Sequence, residues 1–230
     1  NSHRTQKIAF FFLFLATLLI VVPVGLILVI IIQKGLPAIN WQFLSDIPRQ
    51  GMRAGGIFPA IIGTVYLVTG AIIFALPIGL LAAIYLSEYS KDNLLNRVIK
   101  LAIVNLAGVP SVVYGLFGLA LFVIFFKFGA SILSGSLTLG IMILPIVITT
   151  SREALESVPQ SFREVSLSLG ASKWQTIRHI VLPNAVPGIL TGTILGLGRA
   201  AGETAPILFT VAAFYLPQLP NSIFDQAMAL

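Results

Sequence analysis

The chain has 230 residues, of which 57% are hydrophobic and 10% are charged, and its formal net charge is +6. Soluble domains average roughly 45–50% apolar and about 25% charged residues, so this composition excludes an ordinary soluble domain and indicates an integral membrane protein. The lack of cysteine excludes a disulfide framework and a thiolate metal site. The Lys and Arg residues are spread over the segments between apolar runs. This is the usual pattern of the positive-inside bias of membrane proteins, so no nucleic-acid partner is expected.

Five long apolar runs divide the sequence. The first four contain no Asp, Glu, Lys or Arg, and each run is near or above the ~20 residues that a spanning helix needs. Backbone groups in a bilayer must be paired within the segment, and the runs show no strict alternation, so they predict helices. We expect an all-α, polytopic membrane helical bundle that forms one domain over residues 1–230. The runs cover residues 8–32, 57–86, 101–126, 132–150 and 185–216.

The lysines and arginines between the runs predict the orientation. With a cytoplasmic N-terminus, the inside segments hold nine of these residues and the outside segments four, as the positive-inside rule requires. The first run, at 25 residues, is too long for a cleaved signal and is expected to stay as an anchor. Five spans place the C-terminus outside. Because the sequence starts without Met and stops soon after the fifth run, we expect that a sixth span is missing.

The longest polar stretch expected in the cytoplasm is the loop 151–184, which has strong helix-boundary signals. Pro159 should end the helix that enters from the fourth run. Ser161 and Glu164 have the spacing of a capping box, which predicts a short helix over residues 162–169. Gly170 can supply the left-handed residue that closes this helix.

A second capping box follows the glycine. Ser172 and Gln175 have the required spacing and predict a helix that runs to Pro183. The loop is therefore predicted to fold as helix, glycine corner and helix.

The short helix carries an apolar stripe. Phe162, Val165 and Leu169 recur at i, i+3 and i+7, flanked by Arg163 and Glu164. Such a stripe is normally buried, either on the protein's own bundle, in the headgroup layer or in the groove of a partner. The pattern alone leaves these alternatives open.

The residues of this loop have a family-like spacing: Glu164, Val165, Ser166, three residues, Gly170, nine residues, then Ile180, Val181, Leu182 and Pro183. This resembles the EAA loop of the permeases of binding-protein-dependent ABC importers. That loop reads EAA, three residues, Gly, nine residues, Ile, any residue, Leu, Pro. The differences are Val165 and Ser166, where the family often has two alanines.

Three further segments narrow the resemblance. They are GGIFPAIIGTVYLV at 55–68, NLAGVPSVVYGLFGLALFV at 105–123 and GRAAGETAPILFT at 198–210. All three resemble the permeases of phosphate-specific importers, and GETAP with the apolar run after it is similar to their A-type subunit. The resemblance covers most of the chain.

The resemblance implies a fold of the type I ABC importer permease kind, with six spans, in the plasma (inner) membrane of a prokaryote. It implies a translocation path shared with a homologous C-type permease subunit, two ATP-binding subunits inside, and a periplasmic or extracellular phosphate-binding protein. ATP and magnesium would bind to the ATPase subunits, and this chain, surrounded by membrane lipid, would bind no cofactor or metal. The loop 161–183 would couple to the ATPase. The implied coupling residues are Phe162, Arg163, Glu164, Val165, Ser166, Leu169 and Gly170.

Two charges stand in the fifth run, Arg199 and Glu203. A charge at the centre of a spanning helix costs about 2.5–3.5 kcal/mol, so it normally faces protein or a water-filled path. On a helix both residues fall on one arc of roughly 80° with three glycines, which would let a neighbouring helix approach closely. We expect this arc to face the bundle interior, with Arg199 just past the midplane toward the outside. The glycines predicted for helix packing are Gly188, Gly192 and Gly196.

The charge pair has two interpretations. It is a structural pair that holds the bundle together, although Arg before Glu at i, i+4 is the weaker orientation. Alternatively, Arg199 offers its planar fork of donors to a passing phosphate, while Glu203 holds Arg199 when no anion is present and keeps the site weak enough to release it. Asn105, Ser111 and Tyr114 in the third run either line the same path or bond across helices as structural contacts.

No catalytic residues are predicted. The sequence lacks a GxxxxGK[ST] phosphate loop, an HExxH motif and a Ser, His and acid cluster on the spans, so the chain is not expected to hydrolyse ATP alone. The alternatives are a permease for another oxyanion such as sulfate or molybdate, a membrane-embedded enzyme, and a membrane scaffold without transport.

Overall fold

A computed structural model describes residues 2–91, 93–213, 215–216 and 218–229. Contacts divide the chain into two compact units, Asn1–Phe58 and Pro59–Leu230. The all-α prediction is confirmed, since the described segments contain helices, turns and two isolated β-bridges but no strand. The prediction of one domain over 1–230 stays a prediction, and its end residues Asn1 and Leu230 lie outside the described residues.

Helices account for most of the regular structure. Where the structure describes the chain, three π-helical segments interrupt or extend them: Tyr85–Tyr89 after α3, Leu119–Phe125 after α5 and Ile177–Val181 before α9. The α-helices are α1 (Ser2–Gly35), α2 (Trp41–Ser45), α3 (Phe58–Ile84), α4 (Leu94–Ala107), α5 (Ser111–Gly118), α6 (Ile132–Glu156), α7 (Gln160–Ser168), α8 (Lys173–Thr176), α9 (Leu182–Ala201) and α10 (Ala205–Thr210).

The first unit contains α1, a 3₁₀ turn, α2 and a loop. The apolar segment Gln6–Ala38, which contains most of α1 and the 3₁₀ turn after it, is long enough to cross a bilayer. Asn40 begins α2, and its side chain accepts a 2.7 Å hydrogen bond from the Phe43 N–H. The loop after α2 contains a tight hairpin closed by Arg49 and Ala54.

The spanning helices agree with a polytopic bundle. Within the described part of the chain, four helices are long and apolar enough to cross a membrane, and the bent pair of α4 and α5 makes a fifth span if it is counted as one. The prediction of a membrane helical bundle is therefore confirmed.

The third apolar run, residues 101–126, is not one straight helix, which corrects the prediction from its length. α4 and the helix that begins with α5 meet at an angle of 100°. Gly108 ends α4, and Pro110 stands directly before α5. Because Pro110 has no N–H and disfavours helical backbone at Val109, the chain turns here.

The fifth run, residues 185–216, also differs from the prediction. The helix covers Lys173–Ala201 and ends at Gly202, so Glu203 lies in a break before α10. Glycine is a common helix terminator, and Pro206 occupies the first turn of α10, where its missing N–H costs nothing. Glu203 therefore does not share the helical arc predicted for it.

The long helix α6 lies at the centre of the second unit, and the three glycines of α9 face it. A side-chain carbon on Gly192 would collide with Thr150, and one on Gly188 would lie 2.6 Å from the Ala154 Cβ. Gly196 also faces α6, with more room. Close approach of α9 to α6 therefore depends on the first two glycines. The largest fully buried side chains of the unit include Leu67, Leu139, Met142, Ile143 and Val211.

The start of α6 is tied to the segment 218–229. The N–H groups of Ile132 and Leu133 donate to the carbonyls of Asp225 and Ile223, both at 2.9 Å. The Asp225 carboxylate in turn accepts from two backbone N–H groups of its own segment. The bonds from Ile132 and Leu133 satisfy N–H groups of the first helical turn, which have no acceptor within the helix.

Candidate functional site

Arg199 lies in the last turn of α9, where its side chain is 32% exposed. Its Nε lies 3.5 Å from Oε1 of Glu203. Across the described residues the guanidinium makes no hydrogen bond and no second ion pair, so Nη1 and Nη2 have no protein partner. The carbonyl end of α9 also favours a cation at this place. One counter-charge thus holds Arg199 while its terminal donors remain available.

Glu203 reaches Arg199 from outside the helix. Its side chain is 18% exposed, and the residue follows Gly202, which ends α9. The chain after it is fixed by contact of α10 with α5, where a side-chain carbon on Gly115 would lie 3.1 Å from the Ala205 oxygen. The pair predicted from the i, i+4 spacing is therefore present, but a helix break rather than helical register forms it.

Tyr114 stabilises the bend between α4 and α5 beside this pair. The residue is 5% exposed, and its hydroxyl donates a 2.9 Å hydrogen bond to the Leu106 carbonyl across the bend. Tyr114 belongs to the same buried cluster as Ala200, the residue that follows Arg199. The structure thus places Tyr114 close to the end of α9 that carries Arg199.

Asn105 and Ser111 lie on either side of the same bend. Asn105 is exposed in the last turn of α4, and Ser111 is the half-buried first residue of α5. Within the described ranges, no hydrogen bond joins either side chain to Arg199 or Glu203. Their place along an anion path stays a prediction.

The loop 151–184 differs from the prediction at the start of its first helix and at the end of its second. α7 begins at Gln160 and has no side-chain cap, so the predicted capping box of Ser161 and Glu164 is wrong. Pro159, with φ −55° and ψ 137°, occupies the N-cap position, which places Ser161 inside the first helical turn. Pro159 does follow the end of the preceding helix, as predicted, since α6 stops at Glu156 and its C-cap Ser157 lies two residues before the proline.

The glycine corner and the second capping box are confirmed. Gly170 has a φ of +84°. The Ser172 side chain accepts from the Gln175 N–H at 3.3 Å, and the Gln175 side chain accepts from the Ser172 N–H at 2.7 Å. The predicted helix end at Pro183 is wrong, since the helix continues to Ala201. The π-helical segment just before Pro183 has wider turns than an α-helix. These turns accommodate the N–H that Pro183 lacks.

The apolar stripe of α7 lies on an open face. Phe162 is 46% exposed, Val165 60% and Leu169 84%. Glu164 and Gly170 are exposed as well. Three apolar side chains on one open helix face form a surface that a partner can bury.

Arg163 and Ser166, also predicted to be coupling residues, point inward instead. Arg163 donates to the Glu88 carboxylate and to two backbone carbonyls, that of Leu155 in the last turn of α6 and that of Val158 just after α6. The Ser166 hydroxyl oxygen lies 2.8 Å from that of Thr176. Sequence reasoning missed Glu88, although a single acidic residue directly after the apolar run 57–86 was a visible signal.

Known proteins resemble this chain over most of its length. Residues 75–230 match the family model of the binding-protein-dependent transport system inner membrane component. The probable ABC transporter permease protein YqgI of Bacillus subtilis is 34% identical over 220 residues, 95% of this chain and 74% of the relative. The phosphate transport system permease protein PstA is 39% identical in Xylella fastidiosa, over 87% of this chain and 69% of the relative. The protein PstA of Mycobacterium leprae is 36% identical, over 97% of this chain and 74% of the relative. The chain therefore belongs to the family of binding-protein-dependent transport system inner membrane components.

Proposed function

We propose that this chain is the transmembrane permease subunit of an ATP-driven phosphate importer. Support comes from relatives named as phosphate transport permeases, which match most of this chain. The match to a family of inner membrane components and the apolar helices support a multi-pass protein of the plasma (inner) membrane of a prokaryote. The excess of Lys and Arg in the inside segments supports a cytoplasmic N-terminus.

The observation that carries the proposal is the Arg199 guanidinium, whose two terminal nitrogens have no partner among the described residues. A planar fork of donors suits two oxygens of a phosphate. A charge within a spanning region is costly unless it faces protein or a water-filled path. In this proposal a passing phosphate accepts hydrogen bonds from Nη1 and Nη2, while Glu203 stays at Nε and limits the affinity so that the anion can leave.

Coupling to ATP uses the exposed stripe of Phe162, Val165 and Leu169, which enters a groove of an ATP-binding subunit. The complex then contains a homologous C-type permease subunit, two ATP-binding subunits and an outer phosphate-binding protein. ATP and magnesium bind to the ATPase subunits. This chain contributes the path and the coupling surface and does not hydrolyse ATP.

The proposal is tested by reconstituting the complete complex in lipid vesicles with the binding protein outside. We expect labelled phosphate to accumulate only when ATP is present, and a tenfold excess of sulfate or molybdate to leave this uptake unchanged. Uptake in vesicles that lack this chain, preferential uptake of sulfate, or ATP hydrolysis by the purified chain alone would contradict the proposal.

A further inference from the structure

Glu88 and Arg163 form the most enclosed ion pair in the part of the chain that the structure describes, with side chains 9% and 12% exposed. Nη2 and Nε of Arg163 donate to the same carboxylate oxygen, Oε1, at 2.9 and 3.2 Å. Two charge-assisted bonds from a planar group fix direction as well as distance. The pair is therefore a stiff connection.

The same guanidinium joins three elements. Arg163 lies on α7, and Glu88 lies in the π-helical segment Tyr85–Tyr89 that continues α3. Nη1 donates to the Val158 carbonyl at 2.6 Å, and Nη2 also donates to the Leu155 carbonyl at 2.8 Å, at the end of α6. One side chain thus links α7 to the ends of two spanning helices.

These polar contacts of Arg163 lie beside an apolar cluster in which Ala83 and Ile84 of α3 pack with Leu155 of α6. A cavity of about 570 Å³ lies beside the pair, and Glu88, Arg163 and Lys173 are among its lining residues. Lys173 Nζ lies 4.9 Å from the centre of the Tyr89 ring, a cation–π contact that joins the same π-helical segment to α8. The end of α3 is thus bound to both helices that flank the Gly170 corner.

We infer that Glu88 and Arg163 are positioning residues that transmit movement of α7 to α3 and α6 during transport. This inference rests on the proposed function, in which the exposed face of α7 contacts the ATPase. When the ATPase moves α7, the ion pair moves the end of α3 and the carbonyl bonds move the end of α6. The inward Arg163 side chain itself contacts neither phosphate nor the ATPase.

The test measures phosphate transported per ATP hydrolysed by the reconstituted complete complex. Glu88→Ala is expected to bind the ATPase and to keep ATP hydrolysis that responds to the binding protein, while phosphate per ATP falls at least about fivefold because the charge-assisted bonds are lost. Glu88→Gln can still accept both bonds on its amide oxygen. Neutral acceptors bond about half as strongly, so we expect a fall of about twofold.

The matched control is Glu156→Ala. Glu156 pairs with Arg152 at 3.7 Å within α6, so this pair joins no two elements, and phosphate per ATP should stay at the unsubstituted value.

An unchanged ratio in Glu88→Gln, or uptake and hydrolysis that fall in parallel in both Glu88 variants, would overturn the inference. If Glu88→Ala does not assemble, Glu88→Gln decides the question by itself. Failure of the proposed function would be seen separately in the unsubstituted complex, which would then take up no phosphate.

Discussion

Two arginines of this chain have opposite surroundings. All three nitrogens of Arg163 donate hydrogen bonds. Among the residues that the structure describes, Arg199 has one ion pair at Nε and no partner at its terminal nitrogens. Taking an ion out of water costs several kcal/mol, which complete hydrogen bonding offsets. Arg163 therefore has a structural role. In the proposed function, an anion bound to Nη1 and Nη2 would complete the pairing of Arg199 in the same way.

The Glu203 carboxylate should set how easily an anion leaves Arg199. Glu203→Gln keeps the size of the side chain and removes its charge. We expect an anion to stay longer on Arg199 and maximal phosphate uptake to fall roughly fivefold, the effect of ~1 kcal/mol for a partly exposed pair. Uptake by the reconstituted complex measures this, and binding of the ATPase should stay normal. An unchanged maximal rate would show that Glu203 has only a structural role.

The sequence predicted the pairing of Arg199 with Glu203 from their spacing, but not the geometry that produces it. A four-residue separation brings two side chains together on a helix and, here, also across a helix end at Gly202. The partner of Arg163 could not be predicted. Glu88 is 75 residues away in the chain, and only packing of the spanning helices brings the two together.

At the scale of elements, contact between α6 and α9 depends on glycine. Gly192→Ala should destabilise the protein by ~1–3 kcal/mol, because the added methyl would collide with Thr150 in a well-packed contact. Gly198→Ala is the control, since nothing lies within 4 Å of a side-chain carbon there. Thermal unfolding of the purified protein in detergent measures the difference. Equal melting temperatures for the two variants would contradict the packing argument.

The stripe on α7 should carry the contact with the ATPase. Val165→Asp places a charge in the apolar stripe and should reduce co-purification of the ATP-binding subunit at least about tenfold, since a buried unpaired carboxylate costs more than 1.4 kcal/mol. Leu167→Asp makes the same change at an exposed leucine on the other side of α7 and should bind normally. Normal binding by Val165→Asp would exclude the stripe as the docking surface.

The sequence predicted the existence of the spans better than their ends. Apolar length shows that a segment can lie in a membrane, but it does not show whether the helix is straight. The 100° bend beside Pro110 and the end of α9 at Gly202 both occur inside continuous apolar runs. Proline and glycine marked both places. Only contact with neighbouring helices decides whether such a residue kinks a helix or ends it.

At the scale of the whole molecule, the distribution of basic residues predicts which loops face the cytoplasm. The chain has no cysteine, so single cysteines at exposed positions report the orientation directly. Arg53→Cys should react with a membrane-impermeant maleimide in spheroplasts, because its loop is predicted to lie outside. Ser168→Cys on α7 should react only after the membrane is opened. The reverse pattern of labelling would contradict the predicted topology.

The central claim is that Arg199 handles the transported anion, and labelled phosphate uptake measured together with ATP hydrolysis tests it most directly. The reconstituted complexes would carry Arg199, Arg199→Lys or Arg199→Ala. We expect all three to assemble with the ATPase, Arg199→Ala to lose uptake, and Arg199→Lys to lose most of it, because an ammonium group keeps the charge without the planar fork. Normal uptake by an assembled Arg199→Ala complex would contradict the account and leave the pair with Glu203 a structural contact.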